Sequence, residues 1–181
     1  MPQRRTAAQI PIDFHKGPRG RYHSFLHRSD GVVVRLEGGS YNRIGGAVGR
    51  VPHDVAHLVV EAAFGLADGL WGTLAAGGLV QNAAFAGGRR PPHAEKRAWA
   101  ITGRNGEALR QAEILVRAVA DASLESGGPD LRAFRSRVGE RWWSPSTTPT
   151  ALERAIAGLR DGAQRWSALP EGAPLRLTWP R

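Results

Sequence analysis

The sequence predicts an α+β protein in which residues 1–181 form a single domain: a small antiparallel N-terminal sheet, joined by a C-terminal strand, packs against about five helices. Residues 1–37 mainly alternate between apolar and polar side chains, as strands with one buried face do. Residues 51–169 mainly show the apolar spacing of helices, and residues 175–179 alternate again. A chain of 181 residues is also long enough to bury its own core.

The first strands are predicted from alternation and from turn residues. Residues 9–15 place their apolar side chains on one face, and Pro11 predicts an edge strand because proline has no backbone N–H to donate to a neighbour. Residues 21–27 and 32–36 flank the dipeptide Asp30-Gly31, which favours the tight turn of a hairpin. We therefore expect a small antiparallel sheet, which residues 175–179 close.

The helical region follows a glycine-rich connection at residues 38–49. These glycines match neither the P-loop nor the dinucleotide-binding fingerprint, so we expect a flexible link. Apolar residues at helical spacing, separated by turn residues, then predict helices at 51–66, 70–85, 107–124, 131–142 and 150–166. Thr150 and Glu153 have the spacing of a capping box for the last helix.

Composition excludes several classes of function. Because the chain has no cysteine, it has no disulfide, no catalytic thiolate and no cysteine-ligated zinc, and only His, Asp and Glu remain as side-chain metal ligands. The N-terminal residues lack the apolar core of a secretory signal, and polar residues interrupt the apolar region 55–85. We expect a cytoplasmic protein without a membrane partner.

The charge of the chain is strongly positive, at +9, and arginine carries nearly all of it because 23 of the 25 basic residues are arginines. Such a bias is typical of a bacterial protein from a GC-rich genome. A basic surface permits binding to nucleic acid or to an acidic protein, although these arginines are spread over the whole chain. One interpretation is therefore a non-enzymatic binding protein with an arginine-rich surface.

Four ionisable side chains share one face of the first predicted helix, residues 51–66. At about 100° per residue, His53, Asp54, His57 and Glu61 fall within an arc of about 100°, and apolar residues fill most of the remainder. A solvent-facing helix surface more often carries Lys, Arg, Glu or Gln. The cluster is thus the candidate site, with a structural alternative in which Asp54 complements the helix dipole and Glu61 pairs with an arginine.

Metal binding by this cluster requires a ligand from elsewhere in the chain. Histidines at positions i and i+4 can share an ion, whereas His53 and Glu61 are roughly 12 Å apart along the helix axis. His23 and His27 lie on the same face of their strand and are the predicted additional ligands. Zinc is the divalent metal that best suits such histidine donors.

The segment His53-Asp54-Val55-Ala56-His57 resembles the zincin metallopeptidase motif, in which two helical histidines bind zinc and an intervening glutamate polarises water. The resemblance implies that His53 and His57 are ligands and Asp54 is the base, with aspartate one methylene shorter than the usual glutamate. We therefore expect a small metal-dependent or His/carboxylate acid–base enzyme, most simply a hydrolase of a small-molecule substrate, with Asp54 or Glu61 activating water. A third interpretation is a homo-oligomer that associates through residues 58–85.

Overall fold

The computed structural model describes residues 9–39, 43–125, 131–139 and 146–180. Within these ranges a five-stranded antiparallel sheet packs against helices, so the predicted α+β class is confirmed. The strands in chain order are β1 (Gln9–Lys16), β2 (Tyr22–His27), β3 (Val33–Gly38), β4 (Arg43–Gly45), β5 (Arg50–Pro52), β6 (Ala83–Gly87) and β7 (Pro174–Pro180). The helices are α1 (His53–Phe64), α2 (Leu70–Ala75), α3 (Ala94–Arg104), α4 (Gly106–Ala120), α5 (Leu131–Val138) and α6 (Pro149–Ala168).

The sheet has the strand order β6-β3-β2-β1-β7, and all four neighbouring pairs are antiparallel. Its buried face contacts the helices directly: the Phe14 ring meets the Trp71 ring of α2 edge-on, and the Tyr22 ring meets the Trp166 ring of α6 in the same way. Helix α1 packs against α4 and α6 and contacts β7. The polar face of α1 therefore lies close to the middle of the fold.

The predicted closing strand is confirmed, and it changes the position of β1. Residues of β7 pair with β1 from Gln9↔Pro180 to His15↔Pro174, so β1 lies between β2 and β7 and the prediction of an edge strand is wrong. Pairing with β2 begins at Ile12↔Leu26. Pro11 thus lies in the part of β1 that is paired on its β7 side alone.

The predicted hairpin is confirmed, with β2 and β3 joined at Asp30-Gly31. Gly31 has a φ of +80°, and the Asp30 side chain accepts a hydrogen bond of 3.1 Å from the backbone N–H of Val32. The turn therefore forms because glycine tolerates the left-handed region and aspartate satisfies a local donor.

The second predicted helix, residues 70–85, is wrong in its C-terminal half. Helix α2 ends at Ala75, where Gly77 adopts a φ of +103° that stops a helix, and residues 83–87 form β6 at the edge of the sheet beside β3. Helix α3 was not predicted. The glycine-rich connection carries the small hairpin β4–β5.

The remaining helices differ from the predictions mainly at their ends. Helix α4 continues as a π-helical turn from Asp121 to Glu125. Helix α5 ends at Val138, where Gly139 follows with a φ of +80°, and residues 140–142 of its predicted extension lie outside the described residues. Thr148, not Thr150, caps α6, since its hydroxyl accepts a 3.2 Å hydrogen bond from the backbone N–H of Ala151. In the described ranges, no helix combines the length and apolar character needed to span a bilayer.

Candidate metal site on the first helix

Helix α1 places two histidine rings side by side at its N-terminal end. His53 and His57 are four residues apart, so their side chains lie on the same face, and the ring centroids are 4.5 Å apart. The side chain of His53 is 24% exposed, whereas that of His57 is 1% exposed. His53 is therefore partly accessible to solvent, whereas His57 lies in the interior.

Glu113 of α4 faces both rings. Its Oε2 lies 3.2 Å from Nε2 of His53, and its Oε1 lies 3.4 Å from Nε2 of His57. The donor atoms of these three residues all lie within 4.8 Å of one another, which no other group of three His, Asp or Glu achieves in the described residues. Two imidazoles and a carboxylate at this separation could hold one metal ion.

Glu61 is fully buried and holds the opposite side of the His57 ring. Its Oε1 lies 2.8 Å from Nδ1 of His57 and accepts a 2.7 Å bond from the backbone N–H of Leu70, while Oε2 accepts a 3.0 Å bond from the backbone N–H of Trp71. A Cβ on Gly69 would overlap this carboxylate, so glycine is what lets α2 begin here. With the Nδ1 proton donated to Glu61, Nε2 is the ring nitrogen that faces Glu113.

Asp54 holds the corresponding position beside His53, though less closely. Its Oδ1 lies 3.6 Å from Nδ1 of His53, and its buried Oδ2 has no hydrogen-bond partner among the described residues. The Asp54 backbone carbonyl accepts a 2.7 Å bond from Nε1 of Trp71. Each imidazole thus has one carboxylate on its Nδ1 side and shares Glu113 on its Nε2 side.

The carboxylates control the protonation of both histidines. Burial lowers the pKa of His57, but hydrogen bonds and charges from Glu113 and Glu61 outweigh burial and raise the pKa from 6.5 to about 10. The pKa of His53 is also raised, because Asp54 and Glu113 more than offset its burial. Burial would raise the pKa of Glu113, yet the two histidines lower it. His57 therefore holds both of its ring protons near pH 7 in the metal-free cluster, and an ion that binds its Nε2 must displace one of them.

A pocket of about 290 Å³ opens beside the cluster. His53, Asp54 and Glu113 form part of its wall, and Leu36, Leu70 and Leu109 supply apolar surface. Apolar walls with a few convergent polar groups are typical of sites that bind small organic molecules.

The structure does not bring His23 or His27 to this site. The buried residues of β2 are Tyr22, Ser24 and Leu26, so the two histidines point to the other side of the sheet. His23 stacks on His15 at 5.1 Å, and Nε2 of His27 lies 3.3 Å from Oδ2 of Asp13. Burial lowers the pKa of His23, and Arg35 and His15 lower it further.

Glu113 is not among the site residues predicted from the sequence. The signal that the sequence offers is a carboxylate directly after Ala112 in the apolar seam of the helix predicted at 107–124. No protein-family model, curated protein or solved structure matches this chain. The geometry of the site is therefore what indicates its function.

Proposed function

We propose that this protein is a small metal-dependent hydrolase whose divalent ion is bound by Nε2 of His53, Nε2 of His57 and the carboxylate of Glu113. The single observation that carries the proposal is the convergence of both Nε2 atoms on one carboxylate, at 3.2 and 3.4 Å. The Glu61 carboxylate, 2.8 Å from Nδ1 of His57, supports it, because metal-binding histidines usually donate their second N–H to such a group.

Zinc is the ion we propose, since two histidines and one carboxylate leave a coordination position for water. A zinc ion in such a site lowers the pKa of its bound water and polarises a substrate carbonyl or phosphoryl oxygen. The third protein ligand is Glu113, in the place that the sequence alone assigned to His23 or His27.

The two remaining carboxylates have different roles in this proposal. Glu61 already accepts hydrogen bonds from two backbone N–H groups and contacts His57, so we assign it to orienting the imidazole. Asp54 lines the pocket and has a buried oxygen without a partner among the described residues, which supports it as the acceptor of the water proton.

The proposed substrate is a small molecule with an apolar portion. The pocket volume of about 290 Å³ favours a small ligand over a folded protein, and its leucine side chains favour an apolar group beside the reacting bond. Binding of nucleic acid or of an acidic protein, and self-association through residues 58–85, stay predictions.

Metal content tests the proposal directly. The untagged protein, purified without chelator and also after reloading with zinc chloride, is compared by elemental analysis with His53→Ala/His57→Ala and with Glu113→Gln. His15→Ala/His23→Ala is the matched control, because it removes two stacked histidines from the outer face of the sheet. We expect stoichiometric metal in the wild type and the control, and loss in the other variants. A wild type that stays metal-free after reloading, or a double α1 variant that keeps its metal, overturns the proposal.

Hydrolysis is tested separately on the metal-loaded protein, with panels of small esters, amides and phosphoesters. At saturating zinc, Asp54→Asn is expected to lose turnover by about a hundredfold or more, as removal of a general base does. A metal-loaded wild type that cleaves no member of the panels would leave a metal site and contradict the hydrolase assignment for these substrate classes.

A further inference from the structure

A second pocket, of about 760 Å³, lies between the β4–β5 hairpin and the C-terminal half of α6. Among the lining residues that the structure describes there is no aspartate or glutamate, whereas four are basic: Lys16, Arg43, Arg50 and Arg160. Elsewhere on the described surface arginines lie beside carboxylates, as in the ion pairs Arg110–Glu107 and Arg165–Asp161. A wall of one sign therefore marks a place where an anion is attracted.

Two of these arginines keep their charge available. Arg160 donates its Nε–H to the carbonyl of Ser123 at 3.1 Å, which fixes the direction of the guanidinium and leaves its terminal nitrogens for another acceptor. Neither Arg160 nor Arg50 forms an ion pair within the described part of the chain. A guanidinium held in this way matches the geometry of a phosphoryl group, to which it can donate two parallel hydrogen bonds.

Lys16 offsets the negative charge of the α6 C-terminal end, which would otherwise repel an anion bound in this pocket. The C-terminal end of a helix carries a partial negative charge, and the pocket lies at that end of α6. The Nζ of Lys16 donates to the carbonyls of Trp166, Ser167 and Leu169 at 3.0, 3.3 and 2.6 Å. The last carbonyls of α6 are thereby satisfied by a cation.

The glycine-rich connection places the hairpin against α6. The backbone N–H of Val48 donates to the carbonyl of Leu124 at 2.9 Å, and Gly46 donates to Gly49 at 3.1 Å. A Cβ on Gly49 would lie 3.1 Å from Cβ of Ala163, which is tighter than an ordinary contact, so glycine permits this approach. Residues 43–49, predicted from the sequence to be a flexible link, therefore hold the β4–β5 hairpin beside α6.

We propose that this pocket binds the phosphoryl group of a small organic phosphate. Arg50 and Arg160 would contact the phosphoryl oxygens, while apolar surface from Leu124 and Ala163 would contact the organic portion. This site is separate from the proposed metal centre, and it holds or fails independently of whether α1 binds an ion.

Calorimetry on chelator-stripped and dialysed protein tests the proposal without interference from metal-bound phosphate. The probes are inorganic phosphate, AMP, adenosine and a short single-stranded DNA. We expect phosphate and AMP to bind and adenosine not to bind. Arg50→Gln and Arg160→Gln should each weaken AMP binding about tenfold or more, as loss of a charge-assisted hydrogen bond does. Arg104→Gln, which removes the same charge from an exposed position on α3, should leave it unchanged.

Three outcomes overturn the proposal. One is the absence of both phosphate and AMP binding; another is an equal weakening by Arg104→Gln, which would indicate a response to net charge alone. The third is tight DNA binding with a steep salt dependence that neither Arg50→Gln nor Arg160→Gln affects, which would assign the basic surface to nucleic acid. Because Arg50 is an exposed strand residue, its variant keeps the test valid even if Arg160→Gln misfolds.

Discussion

Oε1 of Glu61 lies 2.8 Å from Nδ1 of His57, and both side chains are buried. The same carboxylate accepts the first backbone N–H groups of α2, from Leu70 and Trp71. One side chain therefore orients a candidate metal ligand and fixes the connection between two helices. Stability and the proposed function are coupled at Glu61, and this coupling can be tested.

Replacing Glu61 by glutamine should destabilise the protein by about 3 kcal/mol, because the amide NH₂ would face hydrogen-bond donors in a buried place. Urea unfolding followed by fluorescence measures the change. Glu95→Gln is the control: its side chain is 72% exposed, and we expect a change within about 0.5 kcal/mol. Equal effects of the two substitutions would contradict the role assigned to Glu61.

The same substitution should also weaken zinc binding. Loss of a carboxylate behind a metal-binding histidine typically lowers affinity 10- to 100-fold, and the His57 ring has Glu61 on its Nδ1 side. Competition with a chromophoric chelator measures this affinity on the folded fraction of Glu61→Gln. An unchanged zinc affinity would show that Glu61 stabilises the helices without orienting His57 for a metal.

Gly69→Ala should destabilise the protein by about 1–3 kcal/mol, because its Cβ would overlap the buried carboxylate of Glu61. Gly103→Ala in α3 is the matched comparison, since nothing lies within 4 Å of its added Cβ. That change should be neutral or stabilise by up to about 1 kcal/mol, the difference in helix propensity. Chemical denaturation of both variants measures the two changes in the free energy of unfolding. Destabilisation by Gly103→Ala, or none by Gly69→Ala, would contradict the prediction.

The parts of the fold that depend on local pattern are predictable from the sequence. Alternation at residues 9–15 and 175–179 identifies β1 and β7, and Asp30-Gly31 identifies their neighbouring hairpin. The strand β6 is not predictable in this way, because the residues at 83–87, mostly alanine, fit a helix as well as a strand. These residues form a strand because they pair with β3, which is a tertiary contact.

The candidate site likewise contains residues that local spacing predicts and a residue that only the tertiary fold brings in. His53 and His57 are found from helical spacing, which is a local property. Glu113 is 60 residues from His53, and it joins the cluster because α1 packs against α4, a relationship that no local pattern contains. His23 and His27 share a strand face as predicted, but the face that the helices cover is the opposite one.

The stability of the metal-free protein should depend on pH through His57. Its pKa is raised from 6.5 to about 10 on folding, so its contribution is complete below pH 6.5 and is lost as the pH rises through about 10. The loss should be on the order of a few kcal/mol. Urea unfolding at several pH values across this window, in wild type and His57→Gln, measures this loss, because the titrating groups outside the cluster are the same in both proteins. Parallel curves for the two proteins would contradict the raised pKa.

Zinc binding near pH 7 should release protons, because the raised pKa of His57, about 10, keeps this ring protonated in the metal-free protein. The proton on Nδ1 of His57 remains on that nitrogen and is donated to Glu61 in a hydrogen bond. The proton on Nε2 leaves when that nitrogen binds the ion. We expect about one proton for each protonated histidine that becomes a ligand.

Calorimetric titrations in two buffers of different ionisation enthalpy give this number from the difference in observed heat. His57→Gln should release fewer protons than the wild type. Identical heats in both buffers for the wild type would mean that zinc binds elsewhere or that the histidines are already neutral.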